Sequence, residues 1–236
     1  MKYAIIAAGE GSRLAQEGVL SPKPLVEVGG ERLIDRLLRI FLANGATEVV
    51  AICNEQMTEV RARLEQIQTA GLVPLKFVVK STPSSMHSMW ELSRWLRDEP
   101  FVLTTVDTIF REEEFQTYVA DFLQLVGRGE ADGLMGVTDY IDDEKPLYVS
   151  TDDDLAITGF LDRCETPRYI SGGIYGLTPR SIETLRRCIE RGESRMRNFQ
   201  RALIADGLRL KAWPFSKVLD IDHASDIVKA ETFLKA

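Results

Sequence analysis

Residues 2–25, KYAIIAAGEGSRLAQEGVLSPKPL, constrain this chain more than any other stretch. The apolar run from Tyr3 to Ala8 reads as a short buried strand and breaks at Gly9. The loop that follows carries Gly11, Arg13 and, between Pro22 and Pro24, Lys23, before any helix is expected to begin. Small residues and glycine at a strand end let backbone N–H groups approach a phosphate closely. Arg13 and Lys23 bring positive charge to the same place. A lysine flanked by prolines sits on a stiffened backbone, which pre-positions its charge.

Two phosphate-loop patterns fit less well. The dinucleotide fingerprint G-x-G-x-x-G needs a third glycine where this chain has Leu14, and a helix that opens at once. Here the segment runs on to Pro22 and Pro24, which a helix interior does not tolerate. The P-loop pattern needs Lys-Ser/Thr directly after its glycines, and none is present.

Downstream, strand and helix patterns alternate. Helical periodicity covers 33–42, 56–69, 84–97 and 112–126, with strands at 48–53, 75–80 and 101–106, the last stopping at Asp107. This order predicts a parallel, right-handed, doubly wound sheet, with the Gly9 loop and Asp107 facing one crevice at the strand ends. Strands are then expected at 134–138, 147–150, 156–162 and 169–177, with a solvated turn at Asp152-Asp153-Asp154. Consecutive strands after a βα half predict a small mixed or antiparallel sheet insertion. Helices at 179–191 and 195–205, a strand at 208–213 and a helix at 224–235 close the chain.

Composition narrows the function classes. The 236 residues suffice for one large core. A net charge of −7 argues against a general nucleic-acid binder. No apolar run approaches the roughly 20 residues that span a bilayer, and the opening strand does not read as a signal peptide. Cys53, Cys164 and Cys188 form no C-x-x-C pair, so neither a disulfide framework nor a zinc site is expected, and a cytoplasmic setting fits.

AAGEGSRL followed by PKPL resembles the opening of the nucleoside-triphosphate transferase family, the sugar-1-phosphate nucleotidylyltransferases, which begin with a strand, A-A-G-x-G-x-R-L and P-K-P-L. The resemblance implies an α/β, doubly wound, mostly parallel Rossmann-like sheet. It implies a single nucleotidyltransferase domain over 1–236, with 1–130 as the nucleotide half and 131–236 as the acceptor half. Ala7, Ala8, Gly9, Gly11, Ser12, Arg13 and Lys23 would then bind the nucleotide, with Lys23 and Arg13 acting on its phosphates.

Asp107 ends a strand at the ligand edge. By itself it is either a magnesium ligand or a helix cap; the family places its magnesium aspartate at this strand end. Asp220 and Asp222, in KVLDIDHASD, would point the same way from a strand. They resemble the family's D-I-G-T-P or D-I-D-T-P segment, whose first acid helps hold the metal, although His223-Ala224 stand where Thr-Pro would be. Asp220 is the expected ligand, and Asp222 either a second ligand or a helix cap.

Ser171–Tyr175 (SGGIY) resembles the family's N-A-G-I-Y strand, placing Gly172 and Gly173 against the acceptor, unless they mark a bulge. GFLDRCETP occupies the place of F-x-E-K-P, with Arg163 where the acceptor-phosphate lysine would be. Lys145-Pro146 comes too early to be that match. Ser84 and Ser85, with Ser88, lie where the family reads base and ribose; they bind nucleotide or cap a helix. His87 and His223 have no triad or metal spacing and read as structural.

The implied reaction is magnesium-dependent, in-line transfer of a nucleotidyl group from a nucleoside triphosphate to a small phosphorylated acceptor, first a sugar-1-phosphate. Phosphocholine, a phosphonate or another non-sugar phosphate is the alternative acceptor, and a non-catalytic nucleotide sensor the alternative function. Neither nucleic acid nor membrane is an expected partner. Base, acceptor, pathway and oligomeric state do not follow from these residues.

Overall fold

The computed structural model describes residues 1–142 and 144–235. The opening apolar run forms β1 (Lys2–Ala7), buried from Tyr3 onward on both faces, as a central parallel strand requires. After Gly11, whose φ of 63° turns the chain left-handed, a short helix α1 (Ser12–Gln16) forms where only loop was expected. Pro22 and Pro24 do not oppose it, because both lie beyond its end and instead shape a single 3₁₀ turn, Lys23–Leu25. A hairpin, β2 (Glu27–Val28) and β3 (Glu31–Arg32), leads to α2 (Leu33–Ala43), β4 (Glu48–Cys53), α3 (Thr58–Ala70) and β5 (Leu75–Val79). Then come α4 (Ser85–Leu92), β6 (Phe101–Thr105), β7 (Thr108–Ile109), α5 (Glu112–Gly127) and β8 (Gly133–Thr138). The remainder is β9 (Tyr148–Thr151), β10 (Ile157–Leu161), β11 (Tyr169–Leu177), α6 (Arg180–Glu190), α7 (Met196–Ala205), β12 (Leu210–Phe215), β13 (Leu219–Asp220) and α8 (Ala224–Lys235).

The main sheet has nine strands, ordered β10-β9-β11-β6-β1-β4-β5, with β8 paired to β11 and β12 to β8. β1 lies parallel between β4 and β6, and β4 is parallel to β5. Successive crossovers thus leave β1 in one direction and return to its other side at β6. Such a reversal opens a crevice at the carboxyl ends of the two strands, which is where the Gly9 loop and Asp107 emerge. The strands expected as a sheet insertion do not form a sheet of their own: β11 pairs antiparallel with β6 and carries β8 and β9. The last long strand begins at Leu210 rather than Leu208, because residues 206–209 make the turn out of α7.

A separate two-stranded ribbon joins β7 to β13, with Asp220 opposite Thr108. The Ile221 N–H donates to the Asp107 carbonyl at 3.1 Å and extends the pairing. Aromatic packing anchors this ribbon. Phe110, which follows β7, stacks on Phe115 with centroids 4.6 Å apart, and Phe115 meets Phe41 and Tyr118, each at 5.8 Å. Phe110 and Phe115 are fully buried. We expect Phe110→Ala to cost about 3–5 kcal/mol of stability through lost burial and a residual cavity. Urea unfolding checks this; an unchanged midpoint would mean that the ribbon is held elsewhere.

Candidate active site

The glycine loop and the Pro-Lys-Pro turn pack against each other. A Cβ on Gly11 would lie 3.1 Å from the Lys23 Cβ, so both the left-handed φ and the close approach favour glycine there. Pro22 starts the 3₁₀ turn, closed by Leu25 N–H to Pro22 O at 2.8 Å and Val26 N–H to Lys23 O at 3.1 Å. Lys23 is consequently 9% exposed, and its ammonium needs partners inside the protein. It donates to Asp107 Oδ2 at 2.5 Å and to Asp222 Oδ1 at 2.6 Å. Arg13, on α1, donates to Asp222 Oδ2 at 3.1 Å.

Burial pulls the Lys23 pKa down, but the charge and hydrogen bond of Asp107, with those of Asp222, outweigh it and carry the group up to about 12. Burial likewise opposes ionisation of Asp222, yet the Lys23 hydrogen bond and charge, aided by Arg13, hold its carboxyl below the ordinary value. Lys23 and Asp222 are therefore both charged at neutral pH.

Two cavities meet at this cluster. The first, about 410 Å³, is bounded by Ala8, Gly9, Lys23 and Asp107 on one side and by Ser84, Ser85 and Ser88 on the other. Ser84 also caps α4, accepting from the His87 N–H at 3.4 Å, and its hydroxyl bonds His87 Nδ1 at 2.9 Å. Capping and cavity lining are thus compatible roles for Ser84. Gly11 and Ser12 line a third hollow of about 390 Å³, which shares Lys23 with the first. Ala7 does not fit its expected role: it is fully buried and lines neither cavity, because it lies on the β1 face that packs under α2 with Tyr3 and Ile5, whereas Ile6 and Ala8 on the other face reach the first cavity.

The second cavity, about 250 Å³, includes Arg13, Gly172, Asp220 and Asp222. Gly172 and Gly173 form an irregularity in β11, where the register against β8 shifts between Ser171 and Ile174. Gly173 has φ 70°, and a Cβ on it would stand 3.2 Å from Thr108 Oγ1, beside Asp107. The bulge and the site are one feature. Arg163 is not brought to it: this residue lies on the exposed turn after β10 and lines neither cavity.

Asp220 and Asp222 both line the second cavity, with the buried Ile221 between them. β13 stops at Asp220, which is exposed, and Asp222, just beyond it, faces Lys23. The amides at the start of α8 find acceptors in Asp226 and Glu17. Asp226 Oδ2 accepts from the Asp222 and His223 N–H groups at 3.2 and 2.8 Å, and Glu17 Oε2 accepts from the Ala224 N–H at 2.7 Å. Among the described residues, no three His, Cys, Asp or Glu side chains are spaced to hold a metal ion. Magnesium, however, is held by one or two carboxylates with phosphate oxygens and water. Asp107 and Asp222 fit that requirement, with Asp220 beside Asp222 in the second cavity, and the ammonium between Asp107 and Asp222 marks where positive charge is stabilised.

Asn54 was not singled out in the sequence. Directly after β4, it donates to the Ala8 carbonyl at 3.2 Å and accepts from the Gln56 N–H at 2.9 Å, fixing one wall of the first cavity. A polar residue at the carboxyl end of a buried strand was the available signal.

A family model for nucleotidyl transferases matches residues 2–236. The chain belongs to the nucleotidyl transferase family. Its relatives include the glucose-1-phosphate cytidylyltransferase of Salmonella typhimurium, 34% identical over 53 residues, which is 22% of this chain and 21% of that protein. The CMP-5'-(3-aminopropyl)phosphonate synthase of Streptomyces rubellomurinus is 27% identical over 161 residues, 61% of this chain and 25% of that protein. The matched segments thus span about a fifth to a quarter of these relatives' lengths. A Bacillus anthracis structure described as a glucose-1-phosphate thymidylyltransferase superposes with a TM-score of 0.84 at 19% identity, covering 99% of this chain and 94% of that one. The two share a fold.

The latch between α1 and α8 titrates. His223 Nδ1 lies 2.6 Å from Glu17 Oε1, and that hydrogen bond raises the His223 pKa above 6.5. A raised pKa gives stability that is fully present below the unfolded value and lost as pH rises through the folded one. Wild-type melting temperature should therefore fall as pH rises past 6.5, and Glu17→Gln should flatten that slope. Parallel slopes in thermal denaturation would remove the latch from the account.

Proposed function

We propose that this chain transfers a nucleotidyl group from a nucleoside triphosphate to a small phosphorylated acceptor, releasing pyrophosphate. The observation that carries the reading is the buried Lys23 ammonium, held by Asp107 and Asp222 where two cavities meet. The first cavity takes the nucleotide, with the Gly9 end of the glycine loop and Lys23 facing its phosphates, the Gly11 hollow adjoining them, and Arg13 reaching the cluster from the second cavity. The second takes the acceptor, against Gly172 and Gly173. An acceptor phosphate, with a second pKa of about 6, is already an anionic nucleophile at neutral pH. No general base is needed, consistent with both histidines being engaged structurally. The obstacle is the meeting of two polyanions, which Lys23, Arg13 and the loop amides offset by positioning and charge. Asp107 and Asp222, with Asp220, would hold magnesium, which when bound supplies further charge neutralisation at the phosphates.

A sugar-1-phosphate is the first acceptor to test, by analogy with the Salmonella relative. A second reading, a non-sugar phosphate or phosphonate, is favoured by the acceptor cavity. Arg163 lies outside it, and Asp142, Glu144 and Asp226 line it with Lys229 and Arg13 as the permanent cations. That charge balance suits an amine-bearing acceptor, in keeping with the aminopropylphosphonate named for the Streptomyces relative.

Pyrophosphate release with magnesium, crossing four nucleoside triphosphates with sugar-1-phosphates, phosphocholine and aminoalkylphosphonates, tests both readings. One productive pair is expected. Lys23→Ala and Asp107→Asn should each lower turnover at least about 100-fold, the scale of removing one such stabilising group. Near-normal turnover in either variant would overturn its assignment. Tight triphosphate binding without turnover across the panel would favour a nucleotide sensor.

A further inference from the structure

Lys23 and Arg13 are the groups expected to receive the triphosphate, yet here both are engaged by carboxylates. Lys23 spans Asp107 Oδ2 and Asp222 Oδ1, and Arg13 holds Asp222 Oδ2. Both oxygens of Asp222 and one of Asp107 therefore face protein cations. The Lys23 side chain is 10% exposed and that of Asp107 17%, so the contact is largely shielded from water and salt. A divalent ion that took up the same oxygens would lie within a few ångströms of the ammonium, and like charges at that range repel strongly in a partly buried site.

We propose that Lys23, assisted by Arg13, is the resident counter-cation of the carboxylate site, and that divalent metal and triphosphate bind as a coupled pair. Triphosphate oxygens draw the ammonium and guanidinium away from Asp107 and Asp222, and the released carboxylates accept the metal. The motion required is small. Lys23 already borders both the first cavity and the glycine-loop hollow, while its Cβ is wedged against Gly11, so the end of the side chain can swing on a fixed stem. By linkage, whatever factor the triphosphate adds to metal affinity, the metal adds to triphosphate affinity. In this role Lys23 is a positioning residue acting through the carboxylates. The inference rests on reading the crevice as a metal–triphosphate site, but it is separable from transfer itself.

A plain phosphate ligand and a resident counter-cation predict opposite signs for one measurement. If Lys23 only binds phosphate, removing its charge leaves metal binding without nucleotide unchanged. If it guards the carboxylates, Lys23→Met binds metal more tightly. Binding of Mn²⁺ to the full chain without nucleotide, followed by electron paramagnetic resonance, reads this directly. Lys23→Met should bind Mn²⁺ about tenfold more tightly than wild type, within the usual range of coupling between sites. Lys23→Arg should stay weak, and adding Asp107→Asn to Lys23→Met should abolish the gain. Arg13→Met gives a second reading from a half-exposed residue whose loss does not threaten folding, with a smaller gain in the same direction. Equal, weaker or undetectable Mn²⁺ binding in both methionine variants would overturn the proposal. Normal transfer with unmoved Mn²⁺ affinity would leave the enzymatic reading standing and remove only this one. A Mn²⁺ gain without transfer under any condition would do the reverse.

Discussion

The structure turns on one ion cluster: an ammonium buried between two carboxylates that lie 84 and 199 residues further along the chain. A charge so placed is costly unless paired, and removing one partner leaves the others exposed to the full desolvation penalty. Lys23, Asp107 and Asp222 therefore have to arrive together. Each comes from a different construction: a proline-bracketed turn, the end of a central strand, and the segment that follows a two-residue strand. Such a cluster adds little net stability compared with apolar packing. What it does add is register, since the glycine loop, the end of β6 and the closing segment are tied at one point.

The rest of the fold delivers these parts. Parallel pairing of β1 with β4 and β6 aligns the carboxyl ends of three buried strands, so the Gly9 loop, Asn54 and Asp107 emerge side by side. The ribbon of β7 and β13 then sets Asp220 opposite Thr108, while the stacked Phe110 and Phe115 fix that ribbon to the core. On the other side, Gly173 lets β11 pass within contact distance of Thr108, joining the wall of the second cavity to the strand end that carries Asp107. Catalytic positioning in this account comes from strand ends and short turns rather than from long loops, as expected where charges must be held to a fraction of an ångström.

Much of this was legible where the signal is local. An apolar run ending in Ala-Ala-Gly, a lysine between prolines, and an aspartate closing a strand each carry their geometry in neighbouring residues. The alternating strand–helix pattern likewise implied the crevice. What escaped depended on distant partners. No local feature announces that Asp220 pairs with Thr108, or that Asp222 meets Lys23. The five-residue α1 was hidden by prolines that lie past its end and do not oppose it. Arg163 was placed by its position relative to a motif, whereas its turn faces solvent and its cavity is walled by other residues. Ala7 was one residue early, since a strand's last buried side chain and its first ligand-facing one differ by a single step.

The most direct test is a crystal structure with Mn²⁺ and a non-hydrolysable nucleoside triphosphate, using anomalous scattering to locate the metal. The account predicts a manganese peak at the Asp107 and Asp222 carboxylates, phosphates over the Gly9–Gly11 loop, and the Lys23 ammonium moved from Asp107 onto phosphate oxygens. Lys23 still bonded to Asp107, with the metal bound elsewhere or absent, would contradict it.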